Sequence, residues 1–199
     1  ILLIRSLFFI IALTAFLFLT YKKNTINIIK KSGFPAIVAG LFLSLSFVAY
    51  VVAMSKTTVA NVVFIISTQT IFLALFGFLF LKEKITFKGL IAITLAFVGM
   101  LVMVGDSINQ GTLFGNIVAF AIPINFTILV MIIRKFPDLD MVPAIFYSGI
   151  FSGIYGLLLA SNLTFSSNDV LMGFLLGVPQ LAFGFICVTI GTKTTKAVT

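Results

Sequence analysis

The chain consists of long apolar stretches that alternate with short polar connectors. Each stretch runs 18 to 23 residues, and an apolar helix needs roughly 20 residues to cross a hydrocarbon core of about 30 Å. The stretches are continuous rather than alternating, which favours helices over the strands of a membrane barrel. The pattern predicts an all-α polytopic membrane protein whose seven transmembrane helices cover 2–20, 34–55, 59–81, 88–105, 112–133, 141–160 and 170–191.

Composition supports the same fold class. Hydrophobic residues make up 61% of the chain, charged residues only 9%, and the mean hydropathy is +1.27. A soluble globule of this size needs more polar surface than these residues can provide. We therefore expect the lipid bilayer to be the main surrounding of the chain.

The charged residues predict how the helices are oriented. Lys and Arg together number 13 against five Asp and Glu, a net charge of +8. Nearly all of this positive charge lies in alternate connectors, and the opposite connectors keep only Arg5 and Lys56. By the positive-inside rule the basic connectors are cytoplasmic: Lys22–Lys31, Lys82–Lys88, Arg134–Asp140 and Lys193–Lys196. Because the charge is divided among connectors, no nucleic-acid partner is expected.

Residue types that carry catalysis are scarce. The chain contains no His and a single Cys, Cys187, which lies within an apolar stretch. The sequence therefore excludes histidine metal centres, Ser/His or Cys/His nucleophiles, and disulfides within the chain. Gly-rich phosphate loops and paired catalytic carboxylates are also missing. We expect no metal, no cofactor and no enzymatic activity.

The sequence contains a weak internal repeat. Lys56–Ala60 reads KTTVA and Lys193–Ala197 reads KTTKA, an offset of 137 residues that also pairs 2–20 with 141–160 and 34–55 with 170–191. This arrangement predicts two five-helix repeats, with 1–105 lacking its first helix and 106–199 lacking its last two. An odd number of helices per repeat turns the second copy upside down, as in many secondary transporters.

One element resembles a known family. Thr57–Val63, then Ile71–Leu75, then Phe80–Thr86 is similar to the EamA-type repeat of the drug/metabolite transporter superfamily, whose fourth helix opens on small residues and closes on a Glu flanked by basic residues. Gly89, Gly99, Gly115 and the pair Arg134-Lys135 fit the same pattern. One departure is that Thr70 stands where the family usually has Pro.

The resemblance covers helices two to eight of ten. It implies a permease of the inner (plasma) membrane that moves a small organic metabolite or drug-like solute by alternating access, with a cavity between the two repeats. Two rivals from other classes are an intramembrane lipid-modifying enzyme and a noncatalytic scaffold or channel. The scarcity of acids and bases disfavours the enzyme, and the inverted repeat favours a carrier over both.

Candidate cavity residues are the uncharged polar groups and aromatics within the stretches. A buried amide in hydrocarbon needs a hydrogen-bond partner and tends to face the bundle interior. It can equally stabilise the packing of two helices by a hydrogen bond between them. Asn61 is a further polar group in the third stretch. The substrate cavity is predicted to include Phe47, Tyr50, Gln69, Thr70, Asn125 and Gln180.

Other residues have structural interpretations. Pro123 and Pro179 lie inside apolar stretches and predict helix kinks, while Lys82, Glu83 and Lys84 form a cytoplasmic motif with a structural or gating role. Small-xxx-small spacing occurs at Gly149 and Gly153, and again at Gly173 and Gly177. This spacing allows close helix packing within the bundle, with homodimerisation as the lesser alternative.

Overall fold

A computed structural model describes residues 2–82, 86–109, 112–160 and 166–194, and every regular element among them is helical. A 3-10 turn covers Lys22–Asn24, and a π-helical segment covers Leu176–Phe183. The α-helices are α1 Leu2–Tyr21, α2 Thr25–Lys56, α3 Val59–Ser67, α4 Gln69–Leu81, α5 Phe87–Asn109, α6 Leu113–Lys135, α7 Val142–Leu158, α8 Ser167–Leu175 and α9 Gly184–Thr194.

The helices have the length and composition of membrane spans. Four helical stretches of the described residues are long and apolar enough to cross a bilayer: Leu2–Lys56, Val59–Leu81, Leu113–Lys135 and Ser167–Gly191. Two shorter apolar helices cover Gly89–Gly99 and Val142–Leu158. The chain is therefore an all-helical, multi-pass membrane protein, and each predicted span overlaps one of these stretches.

The longest stretch is interrupted at Gly33. This residue has φ 55° and ψ −151°, a backbone conformation that side chains with a Cβ rarely adopt. The section 25–32 therefore does not continue into 34–56 as one straight helix. Pro35 follows two residues later, where its missing N–H is harmless because the second section has only just begun.

The chain divides into two compact units, and the first comprises Ile1–Ser44 with Ile132–Thr194. Within it α1 packs against α7, α8 and the π-helical segment. Fully buried side chains in this unit include Phe9, Leu13 and Ile145. The apolar residues of α1 thus form the centre of the unit.

Glycines bring the neighbouring helices onto α1. A Cβ on Gly177 would lie 2.6 Å from the carbonyl oxygen of Arg5, and one on Gly173 would lie 2.5 Å from Cγ2 of Ile4. Gly149 approaches Ile10 in the same way. The small-residue spacings identified in the sequence therefore lie at helix contacts inside this unit.

The second unit is Leu45–Met131. Its core cluster joins α2, α3 and α6 and consists of Ala49, Ala53, Val62, Ile65, Ala119 and Ile122. At the start of α6, a Cβ on Gly115 would lie 2.6 Å from the carbonyl carbon of Lys56. Only a residue without a side chain permits this approach of α6 to the end of α2.

Candidate functional site

The stretch predicted as one span over 59–81 is broken near its middle. The α3 helix ends at Ser67 and α4 begins at Gln69, with Thr68 between them at φ −72° and ψ −3°. The N–H of Thr68 donates to the carbonyl of Ile65 at 3.1 Å, and the N–H of Ile71 donates to the carbonyl of Thr68 at 2.9 Å. These are three-residue steps, so the backbone tightens locally into a 3-10 turn.

The side chain of Thr68 stabilises this break. Its hydroxyl is buried and donates to the carbonyl of Ile65 at 2.6 Å. A Thr that bonds back to its own helix is known to bend helices. Thr68 thus interrupts the regular α-helical pattern without the Pro that the resembled family places at the position of Thr70.

The two predicted polar residues of this span directly follow the break. Gln69 is the first residue of α4 and is half-buried, whereas Thr70 is exposed. The Thr70 hydroxyl lies 3.5 Å from the carbonyl of Ser67, a separation too long for a strong hydrogen bond. Both side chains thus retain hydrogen-bonding capacity next to an irregular stretch of backbone.

The predicted aromatic residues lie on α2 in the same unit. Phe47 is buried, and Tyr50 is half-buried against the core cluster that joins α2, α3 and α6. The hydroxyl of Ser46 donates to the carbonyl of Ile122 at 3.3 Å and connects this part of α2 to α6. Tyr50 therefore lies against the cluster that joins α2, α3 and α6.

Asn125 is one turn beyond this contact on α6. It follows Ile122 by three residues, so the two share a helical face, and Asn125 is half-buried. Pro123 is buried, and α6 continues through it as one α-helix. Its carbonyl accepts a hydrogen bond from the buried hydroxyl of Thr127 at 2.7 Å.

A polar network links Thr57, in the connector between α2 and α3, to α3 and α6. Sequence reasoning singled out Asn61 but not Asn116. Asn61 Nδ2 donates to Thr57 Oγ1 at 3.1 Å, and Thr57 Oγ1 donates to Asn116 Oδ1 at 2.6 Å. Asn116 is fully buried. In the sequence, only the adjacent Gly115, which permits close helix approach, could have signalled its burial.

Gln180 and Pro179 lie in the other unit, in the π-helical segment. Both side chains are exposed. A π-helical segment disturbs the regular backbone ladder and is often found at functional sites. The Pro lacks the N–H that a regular α-helix would use at this point.

The charged residues occupy varied positions. Lys82 directly follows α4 and adopts a left-handed conformation with φ 54°. The other two residues of the cytoplasmic motif, Glu83 and Lys84, lie outside the described residues, as does Lys196 of the last basic connector. Arg5, interpreted from the sequence as an interfacial anchor, is buried with 6% of its surface exposed. The close contact of α8 and the π-helical segment with the first turn of α1 explains this burial.

The candidate residues of the second unit are uncharged polar groups and aromatic rings. They are the amides of Gln69 and Asn125, the hydroxyl of Thr70, and the rings of Phe47 and Tyr50. Across residues 2–82, 86–109, 112–160 and 166–194, no group of three or more His, Cys, Asp or Glu is placed to hold a metal ion. Amides and hydroxyls are hydrogen-bond donors and acceptors, and aromatic rings can stack.

Comparison with known proteins gives one family match. The model of the EamA-like transporter family matches residues 1–105, which is more than half of the 199-residue chain. No curated protein and no solved structure matches the chain.

Proposed function

Because this chain belongs to the EamA-like transporter family, we propose that it is a secondary transporter which carries a small organic solute across the membrane by alternating access. Members of this family are membrane transporters of small solutes, and we propose that the chain has no enzymatic activity. The nature of the solute and the alternating-access mechanism are our proposal. Metabolites and drug-like molecules are the proposed cargo.

The observation that carries the proposal is the break at Thr68. Secondary transporters commonly bind their substrates where transmembrane helices are interrupted near the bilayer midplane. The break lies nine residues from the start of α3 and is followed by 13 residues of α4, so it falls near mid-depth. Irregular backbone at that depth is tolerated where it lines a cavity or is buried in protein.

We propose that Gln69, Thr70 and Asn125 orient the solute, and that Phe47 and Tyr50 form an aromatic wall. Gln180 is proposed to contribute from the second repeat. Uncharged amides and hydroxyls in a low-dielectric cavity discriminate solutes by hydrogen-bond pattern, since a mismatched partner leaves a polar group unsatisfied. The cytoplasmic motif that contains Lys82 is proposed to hold or gate the inner end.

The proposed architecture is a pair of inverted repeats over 1–105 and 106–199. The family match ends at residue 105, which coincides with the proposed boundary. The 55 residues of Leu2–Lys56 correspond to roughly 80 Å of helix, and the break at Gly33 supports two passes within them. Seven passes then place the basic connectors on the cytoplasmic side of an inner (plasma) membrane.

Transport by cavity variants tests the proposal. In proteoliposomes offered labelled amino acids, nucleosides and amphipathic amines in turn, we expect saturable uptake of one class. Gln69→Leu and Asn125→Leu should each reduce uptake of that solute by about five- to 150-fold, since losing one well-placed hydrogen bond in a dry site costs about 1–3 kcal/mol.

Asn168→Leu is the matched control, because Asn168 is an exposed amide in the first turn of α8. This variant should transport like the unsubstituted protein. If both cavity variants retain full uptake while the protein transports, the proposed site is wrong although the family function stands.

A further inference from the structure

The connector between α1 and the second section of α2 carries an unusual concentration of positive charge. Residues 22–34, named here the basic turn, contain four lysines, and residues 1–82 contain no Asp or Glu at all. The lysine side chains are all exposed: Lys22, Lys23, Lys30 and Lys31. Positive-inside topology explains the sign of this charge and leaves its ordered geometry unexplained.

The backbone of the basic turn is held in place by polar contacts at its beginning. The hydroxyl of Tyr21 donates to Oδ2 of Asp140, whose Oδ1 accepts from the N–H of Val142 at 3.0 Å. The buried Thr25 hydroxyl lies 2.8 Å from the carbonyl of Lys22 and 3.1 Å from that of Leu17. Lys22 itself adopts a left-handed conformation with φ 48°.

The helical section 25–32 has two distinct faces. Thr25 and Ser32, seven residues apart, are buried, and the Ser32 hydroxyl bonds back to the carbonyls of Ile28 and Ile29 at 2.9 Å. The outward face carries Lys30 and Lys31 together with Ile26, which is 61% exposed. The protein thus occupies the polar hydroxyl face and leaves a basic and apolar face outside.

Gly33 separates this section from the following span and Phe34, 75% exposed, comes directly after it. Exposed Ile and Phe next to lysines are unfavourable in bulk water but suit the boundary between headgroups and acyl chains. Lysine ammonium groups at that boundary attract lipid phosphates. The lysines of the outward face therefore match the phosphates of a charged lipid surface, and its exposed Ile and Phe match the boundary of the acyl chains.

We propose that the basic turn is a binding surface for anionic phospholipids of the adjoining leaflet. The lysines contact the headgroup phosphates while Ile26 and Phe34 insert among the upper acyl carbons. Because the turn is fixed to α1 and to the beginning of α7, bound lipid stabilises the first unit. This inference holds whichever solute the protein carries.

Lipid-dependent thermal stability tests the proposal. The purified protein in a neutral detergent is titrated with phosphatidylglycerol, with phosphatidylcholine, or with inorganic phosphate. We expect phosphatidylglycerol to raise the midpoint of thermal unfolding more than phosphatidylcholine, and inorganic phosphate to have no such effect. Native mass spectrometry should show the same lipid preference, weakened by added salt.

The substitutions K22Q/K23Q/K30Q/K31Q should abolish the preference for phosphatidylglycerol. Each lysine that is removed should weaken the binding of phosphatidylglycerol about fivefold. The charge-preserving set K22R/K23R/K30R/K31R should retain it. K30Q/K31Q should weaken it, while K82Q/K135Q, which removes the same charge from exposed lysines elsewhere, should not.

Equal stabilisation of the unsubstituted protein by both lipids would overturn the proposal. So would a preference that survives in K30Q/K31Q or declines as much in K82Q/K135Q, because the effect would then reflect net charge. A response to inorganic phosphate as strong as to phosphatidylglycerol would assign the turn to soluble anions instead.

Discussion

Single residues determine where polar groups can be buried in this protein. The sequence identified Gln69 and Asn125 because they lie near the middle of apolar stretches. It did not identify Asn116, whose burial beside Thr57 depends on the approach of α6 to the end of α2 at Gly115. Position along a span is visible in a sequence, whereas the contact that removes a terminal residue from water is a tertiary property.

Removing either partner of the Thr57–Asn116 hydrogen bond should destabilise the second unit. Thr57→Val leaves the buried Asn116 amide without this donor, and we expect a loss of about 1–3 kcal/mol, measured by unfolding in detergent. Thr94→Val is the control, because Thr94 is exposed on α5, and should change stability by less than about 0.5 kcal/mol. A Thr57→Val/Asn116→Leu pair whose losses simply add would contradict the coupling.

The hydrogen bond between Tyr21 and Asp140 gives a second prediction at this scale. Tyr21→Phe removes the donor to a carboxylate and should cost about 1.5–3 kcal/mol. Tyr155→Phe offers a matched change, since the half-buried Tyr155 hydroxyl has no hydrogen bond among the described residues. Equal melting midpoints for the two variants would show that the Tyr21 contact contributes nothing.

At the scale of helices, hydropathy predicted an all-helical chain with long apolar helices, but it predicted their interruptions poorly. The length of an apolar stretch predicts a span, because the thickness of the bilayer sets how many apolar residues a spanning helix needs. The break at Thr68 has neither Pro nor Gly within it, and it depends on a buried hydroxyl that bonds back to the helix. The disturbance around Pro179 was predicted as a kink, and the structure has a π-helical segment there.

Two glycines of one helical region should respond oppositely to the same substitution. Gly177→Ala places a Cβ 2.6 Å from the carbonyl oxygen of Arg5 and should force α1 and the π-helical segment apart, lowering the melting midpoint by several degrees. A Cβ on Gly184 meets nothing within 4 Å, so Gly184→Ala should be neutral or stabilising by up to about 1 kcal/mol. Similar effects of both substitutions on thermal unfolding would contradict the described packing.

At the scale of the whole molecule, the sequence was sufficient for class and family. The resemblance carried by Thr57–Thr86 agrees with the family match over residues 1–105. The inverted repeat stays a prediction, because KTTVA and KTTKA are too short to align two diverged copies and Lys196 and Ala197 lie outside the described residues. The number of passes and their orientation also stay predictions, the first from apolar length and the second from charge distribution.

Cysteine labelling tests this orientation. In a Cys187→Ser background the chain has no other thiol, so single cysteines report their own side. Asn24→Cys and Asp138→Cys should react with an impermeant maleimide only from the cytoplasmic side, and Lys56→Cys and Ser167→Cys only from the outside, all four positions being exposed. Labelling of Asn24→Cys and Lys56→Cys from the same side would contradict the predicted topology.

Counterflow is the most direct measurement of the central claim that the protein is a carrier. Proteoliposomes are preloaded with an unlabelled solute and diluted into a trace of the labelled one. Alternating access predicts transient accumulation of label above its equilibrium level. Each unlabelled solute molecule that leaves the vesicle brings the binding site to the outside, where it takes up a labelled molecule. Label that only rises to equilibrium, with no overshoot for any solute that crosses, would identify a channel and contradict the account.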